Sequence, residues 1–219
     1  MKINISKKEI KEKEEPFKLN DGQGDPNLES LSFYGGRIPI IITTPHSVKT
    51  AKKDRVTGEI IVKPNEAYTG AIALVLNDVI GCHVMARNNN NEVNRDDGFF
   101  NQRLLEYISD LGILHHIDLI GVKRETNYDI GVGTDNGKYV LALPNFGDII
   151  VKAFMMHGIT NLSFTTKLQA SNKATLCRQV FDNCGISTVQ LTINRSLRDP
   201  NDMERMNALL SGLATYIEG

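Results

Sequence analysis

The chain has 219 residues, a hydrophobic fraction of 41% and a formal net charge of −1. This length suits one large domain or two small ones, and the balanced charge gives no electrostatic reason to expect nucleic acid or an anionic membrane as a partner. No apolar run reaches the roughly 20 residues of a membrane span, and the polar start lacks a secretory signal. Because Cys82, Cys177 and Cys184 are too few for a disulfide framework, we expect reduced thiols in or near the core and a cytoplasmic location.

The first 30 residues are strongly polar. Lys7 to Glu15 is nearly all charged, and the stretch 21–27 is rich in turn-forming residues. A charged run of this kind usually forms a solvated surface. We therefore expect residues 1–30 to be a polar N-terminal arm, flexible or folded as a peripheral hairpin, and residues 31–219 to form a single domain.

Strand and helix patterns alternate through the rest of the chain. The β-branched run Ile38–Thr43 is typical of a strand buried on both faces, and Asn65 is placed to cap the helix that follows. Strands are predicted at 38–43, 83–87, 114–119 and 188–193, and helices at 66–80, 99–111, 148–157, 174–183 and 202–217. Residues 140–143 fit either a further strand or the start of a helix. This alternation predicts an α/β sheet with helices on both faces.

Several chemically capable side chains follow the ends of predicted strands. In open α/β sheets, ligands collect beyond the carboxyl ends of the parallel strands. His46, Arg87, Ile120 and Arg195 all follow such ends, so residues far apart in sequence can share one crevice. A neutral imidazole at His46 suits zinc, although a loop histidine bonded to a nearby carbonyl fits the position as well.

Four segments, in this order, resemble the N-formylglutamate amidohydrolase family, which are zinc hydrolases with a carboxypeptidase-like core. They are Thr43-Thr44-Pro45-His46-Ser47, Pro64-Asn65-Glu66-Ala67-Tyr68-Thr69-Gly70, Ile117-Asp118-Leu119-Ile120-Gly121 and Val189-Gln190-Leu191-Thr192-Ile193. The resemblance implies a three-layer α/β/α domain with a mixed, mostly parallel central sheet of the phosphorylase/hydrolase-like type. It also implies hydrolysis of an amide next to an acidic amino acid.

The same resemblance assigns roles to individual residues. It places His46 and Glu66 at the metal, although a carboxylate in a first helical turn also suits a structural role. It implies that Arg87 and the pair Asn94 and Arg95 face the substrate carboxylate, for which a guanidinium fork is well shaped. Arg195 and Arg198 are further candidates for binding an anion, although each arginine taken alone is equally compatible with a polar surface loop. The segment 128–134 matches a loop of the family.

Two positions break the pattern. Ile120 stands where the relatives have a metal-binding histidine, and Thr192 stands where they have a glutamate that acts as general base on zinc-bound water. His116 shares a strand face with Ile120 but lies roughly 13 Å upstream of it, and His115 points to the opposite face. We therefore expect both histidines in the core or at its edge. Asp118, on the face of Ile120, could orient a ligand.

Three functional hypotheses follow from these residues. The first is an N-formylglutamate amidohydrolase-like protein that has lost or altered zinc-dependent hydrolysis and keeps a crevice for an anionic small molecule or peptide. The second is an active zinc-dependent hydrolase of N-acyl acidic amino acids or peptides with non-standard ligands. The third is a non-enzymatic partner-binding protein. Because Ile120 removes one expected ligand, zinc binding is predicted to be weak or absent.

Overall fold

The computed structural model describes residues 1–53, 57–89, 97–140, 145–164 and 175–219. Two of the predicted substrate-binding residues, Asn94 and Arg95, lie outside these ranges, as does most of the segment 140–143. Within the described residues, no helix combines the length and the apolar character needed to cross a membrane.

A seven-stranded mixed sheet forms the centre of the described structure. Its strands are β1 (Leu31–Tyr34), β2 (Ile40–Thr44), β5 (His83–Arg87), β6 (His115–Val122), β7 (Ile130–Gly133), β8 (Leu162–Ser163) and β9 (Ser187–Asn194), while β3 (Thr50–Lys53) and β4 (Ile60–Lys63) pair separately. The order is β1-β5-β2-β6-β9-β7-β8. Strands β5, β2, β6 and β9 run parallel, β1 and β7 run antiparallel to their neighbours β5 and β9, and β7 is parallel to β8.

Helices cover both faces of this sheet. They are α1 (Lys7–Gly22), α2 (Thr69–Ile80), α3 (Asp97–Leu111), α4 (Phe146–Met155), α5 (Leu176–Cys184) and α6 (Met203–Glu218). Side chains of α2, α4 and α6 pack with one face of the strands in the larger apolar cluster. Side chains of α3 and α5 pack with the other face in a second cluster. The predicted α/β/α architecture with a mixed, mostly parallel sheet is therefore confirmed.

The N-terminal segment differs from its prediction. It is not a hairpin or a detached arm, because it contains α1, whose backbone is helical except at a kink over residues 19–21. The helix begins with a reciprocal cap: the Glu9 amide donates to the Ser6 hydroxyl at 3.2 Å, and the Ser6 amide donates to the Glu9 carboxylate at 2.7 Å. Ile10 and Phe17 are fully buried in the larger apolar cluster. The segment is thus part of the domain core.

Other elements match the prediction closely, with local exceptions. The strand predicted at 83–87 coincides with β5. Asn65 does not cap the next helix: α2 begins only at Thr69, after Tyr68, whose φ of 69° is left-handed and whose side chain makes no cap. The predicted loop at 128–134 contains strand β7, which pairs with β9.

Cys82 and Cys177 are buried and Cys184 is half-buried, as expected for thiols in or near the core.

Candidate functional site

The carboxyl ends of the parallel strands bring the four key sequence positions together. The backbone amide of Glu66 donates to the carbonyl of His46 at 2.8 Å, so the turn after β2 touches the turn before α2. The Glu66 carboxylate accepts the backbone N–H of Gly121, in β6, at 2.6 Å. In the next strand pair, Ile120 lies opposite Thr192 of β9. These residues therefore lie together at one edge of the sheet.

Glu66 is half-buried and electrostatically perturbed. Burial raises the pKa of its carboxyl to about 8, against the hydrogen bond from Gly121 and the positive charge of Arg198, which both lower that pKa. The carboxyl is therefore mostly protonated at neutral pH. A Cβ at Gly121 would lie 2.8 Å from the Glu66 Cβ and 2.6 Å from an Arg198 nitrogen, so only glycine fits between these two side chains.

Arg198 is buried and ties three segments together. Its Nε donates to the carbonyl of Ile193 at 3.1 Å, Nη2 donates to Val122 at 3.1 Å, and Nη1 donates to Ala67. Burial lowers the pKa of the guanidinium to about 10, and the nearby Glu66 opposes that shift. Arg198 was one of the two candidates for anion binding at this strand end. Its bonds instead join the ends of β6 and β9 to the start of α2.

A polar network lies within the sheet on the face of Ile120. The Thr43 hydroxyl donates to the Asp118 carboxylate at 2.9 Å, and Gln190 donates to the other carboxylate oxygen at 3.3 Å. The Nε2 of His116 lies 2.9 Å from the Thr43 oxygen, and its Nδ1 lies 2.7 Å from the Thr188 hydroxyl. Burial raises the pKa of Asp118 to about 6 and lowers that of His116 to about 3, so the imidazole is neutral.

The histidine predictions are confirmed. His116 is fully buried in the network just described, four residues and therefore roughly 13 Å before Ile120 at ~3.3 Å per residue. His115 lies on the opposite face of β6, where its Nε2 is 2.7 Å from the hydroxyl of Tyr216 in α6. Neither ring is placed to substitute for a ligand at position 120.

Thr192 has a structural partner. Its hydroxyl donates to the Tyr128 hydroxyl at 3.2 Å, and its side chain is buried. An alcohol of this kind has no ionisation in the range that a general base needs. Thr192 therefore occupies the expected position of the base without its chemistry.

Two of the predicted substrate-binding arginines can be placed. Arg87 is buried at the end of β5, where its Nε donates to the Pro45 carbonyl at 3.0 Å and its guanidinium lies 5.4 Å from the centre of the Phe100 ring. Arg195 is exposed just beyond β9. These two strands are separated in the sheet by β2 and β6, so the two arginines follow strand ends that are not adjacent.

The residues at the strand ends do not fit the zinc site that the family resemblance implies. Protein zinc sites use three or four nitrogen, sulfur or oxygen ligands. His46 and Glu66 are present, but the Ile120 side chain has no lone pair and one Glu66 oxygen already accepts the Gly121 amide. Among the described residues, no group of three or more His, Cys, Asp or Glu side chains is arranged to hold a metal ion.

Sequence reasoning missed one buried acid beside this site. Glu14 of α1 is buried, and its carboxylate accepts the backbone N–H of Tyr68 at 2.8 Å. Burial raises the pKa of Glu14 to about 7, while the bond from Tyr68 and the charge of Arg198 act in the opposite direction. A signal was present, because Ile10, Glu14 and Phe17 share the helical spacing of a buried stripe.

The described structure is an α/β domain with a mixed, mostly parallel sheet, and solved hydrolase structures share this fold. Solved structures with this fold include N-formylglutamate amidohydrolase from Ralstonia eutropha, which is 12% identical with a TM-score of 0.57 over 87% of this chain and 97% of that chain. They also include a bacteriophage poly-gamma-glutamate hydrolase, which is 15% identical with a TM-score of 0.52 over 88% of this chain and 89% of that chain. No protein-family model and no curated protein matches the sequence. The predicted likeness is confirmed at the level of the fold.

Proposed function

We propose that this protein uses the N-formylglutamate amidohydrolase-like fold without ordinary zinc-dependent hydrolysis, and that its strand-end crevice binds an anionic small molecule or a peptide. The observation that carries the proposal is the donor set. Position 120, beside Glu66 and opposite Thr192, holds an isoleucine, so the expected third ligand is missing.

The residue types at the site support the loss of zinc chemistry. Ile120 has no lone pair to give where the relatives have a histidine, so at most His46 and Glu66 of the expected set remain. Thr192 donates its hydroxyl hydrogen to Tyr128 and has no carboxylate with which to activate water. Ligand and base are therefore altered together, as expected for a site whose original reaction is no longer performed.

Binding of an anion is supported by Arg195. Its side chain is exposed just beyond β9, and a guanidinium can hold a carboxylate through two parallel hydrogen bonds. Since the net charge of the chain is −1, the attraction would be local to the crevice. It would select a carboxylate ligand and would not favour nucleic acid or an anionic membrane.

Two measurements test this function. We expect purified protein dialysed against a chelator to contain much less than one equivalent of zinc, and to leave N-formylglutamate intact with or without added zinc. We expect calorimetry to detect binding of N-formylglutamate or of a short glutamate peptide, weakened by Arg195→Ala but unaffected by Arg37→Ala, which removes an exposed arginine just before β2.

The opposite results separate the alternatives. Retained stoichiometric zinc, with hydrolysis that His46→Ala abolishes, would overturn the loss of hydrolysis and establish an active enzyme with other ligands. Failure of both carboxylate ligands to bind would overturn the anion-binding part and favour a partner-binding protein.

A further inference from the structure

One short stretch of the N-terminal segment contacts all three loops that carry the candidate site. We call residues 14–24, which run from the middle of α1 to the turn beyond it, the clasp. The three loops follow β2, precede α2 and follow β5, and they contain or adjoin His46, Glu66 and Arg87 respectively.

The clasp first contacts the start of α2. Tyr68 precedes this helix with a left-handed φ of 69° and offers no side-chain cap. The Glu14 carboxylate instead accepts the amide of Tyr68 itself, at 2.8 Å. The Phe17 ring lies so close to Gly70 that a Cβ there would be 2.5 Å from a ring carbon. The start of α2, immediately after Glu66, is thus fixed by a helix more than 50 residues earlier in the chain.

The clasp then contacts the loop after β2. The Lys49 amide donates to the carbonyl of Gly22 at 2.7 Å, and the Lys49 ammonium pairs with Asp21 at 2.5 Å. Gly22 also faces Asn65, whose side chain would lie 3.2 Å from a Cβ at position 22. The same turn therefore touches the chain on both sides of the two-stranded sheet formed by β3 and β4.

The last contact of the clasp is with the loop after β5. Gly24 forms an isolated antiparallel bridge with Asn89. Its φ is +88°, and a Cβ there would be 1.7 Å from the carbonyl oxygen of Asn88. Backbone in this left-handed region is costly for residues other than glycine. Asn20 and Asp21 also have positive φ, so the turn holds a tight conformation against the site loops.

We propose that the clasp is a positioning element of the candidate site: Glu14, Gly22 and Gly24 hold the three strand-end loops in one arrangement. This inference concerns the same site as the proposed function and rests on it for its biological meaning. The test of the clasp uses no ligand. The positioning role can therefore be refuted while anion binding is confirmed, and anion binding can be refuted while the positioning role is confirmed.

The primary test compares two glycine substitutions of matched backbone strain. Gly24→Ala and Gly158→Ala both force alanine into a left-handed backbone, at φ of +88° and +81°, but a Cβ at Gly158 meets no atom within 4 Å. The readout is hydrogen exchange at the amides of Glu66 and Gly121, which are bonded to site groups, relative to Leu191 in the centre of β9.

We expect Gly24→Ala to accelerate exchange at Glu66 and Gly121 about tenfold more than at Leu191, a factor that corresponds to roughly 1.4 kcal/mol of local opening. Gly158→Ala should leave the ratio of these rates unchanged. Equal acceleration at all three amides in Gly24→Ala would mean that the turn serves only global stability, and would overturn the proposal.

A second pair of variants decides the matter if Gly24→Ala does not fold. Glu14→Ala removes the acceptor for the Tyr68 amide, whereas Glu14→Gln keeps an oxygen in the same place. We expect the alanine variant to accelerate exchange selectively at Glu66 and Gly121, and the glutamine variant to restore wild-type ratios. Unchanged ratios in both variants would overturn the role of Glu14 and, with it, the clasp.

Discussion

Replacing Glu14 by glutamine should change how the stability of the protein depends on pH. Burial raises the pKa of this carboxyl from 4.5 to about 7 in the folded protein. At a pH below 4.5 the Glu14 carboxyl is protonated in both the folded and the unfolded protein, so its burial carries no ionisation cost. Between the two values only the unfolded chain ionises, so the folded state binds more protons and stability falls as the pH rises. At a pH above about 7 this loss of stability is complete.

The size of this loss of unfolding free energy follows from the difference between the unfolded and folded pKa values of Glu14. Each pH unit between the two pKa values corresponds to about 1.4 kcal/mol, so the wild type should lose about 3 kcal/mol of unfolding free energy through this one group. Glutamine cannot ionise and keeps an oxygen to accept the Tyr68 amide. The Glu14→Gln variant should therefore match the wild type at low pH and exceed its stability by about 3 kcal/mol above neutrality.

Urea unfolding followed by circular dichroism, at a series of pH values, measures the difference between the two proteins. Subtracting the curves removes the contributions of the other titrating groups, including Glu66 and Asp118. Glu15→Gln is the matched control, since Glu15 is an exposed neighbour in the same helix and its loss changes the net charge equally. If the curves of Glu14→Gln and the wild type run parallel, or if the variant is less stable at high pH, the argument from burial is wrong.

Three further variants test other parts of the structure. Ile120→His combined with Thr192→Glu should create zinc-dependent hydrolysis of N-formylglutamate, because it restores a ligand and a base; no activity in a folded, zinc-binding double variant would contradict this. Phe17→Ala should lower the unfolding free energy by about 3–5 kcal/mol, as judged by urea titration, and a loss below about 1 kcal/mol would refute its core role. Gly121→Ala should destabilise the fold because its Cβ would meet Arg198 and the Glu66 side chain, and an unchanged melting temperature would refute that contact.

The sequence was most informative where local patterning and burial agree. The strand at 83–87 was placed correctly because Val84, Met85 and Ala86 are apolar at consecutive positions, as a strand buried on both faces requires. Strand β7 was missed because Gly131 and Gly133 are poor strand formers, and only pairing with β9 makes that segment extended.

The N-terminal helix was missed for a different reason. Its charged residues outnumber its apolar ones, so the composition indicated solvent exposure although Ile10 and Phe17 are fully buried. Glu14 could not be placed by charge alone, since its partner is the backbone amide of Tyr68, which lies 54 residues later in the chain. The role of Arg198 was equally hidden, because its partners are backbone carbonyls and leave no trace in the residue types around them.

The buried network around His116 has a direction. A neutral imidazole donates through one nitrogen and accepts through the other, and an ionised Asp118 can only accept. The Thr43 hydroxyl must then give its hydrogen to Asp118 and accept from Nε2, which leaves Nδ1 to accept from Thr188. The hydrogen on this ring is therefore placed by the charge of a carboxylate that it does not touch. Nitrogen chemical shifts of His116 would therefore report the ionisation of Asp118 from inside the sheet.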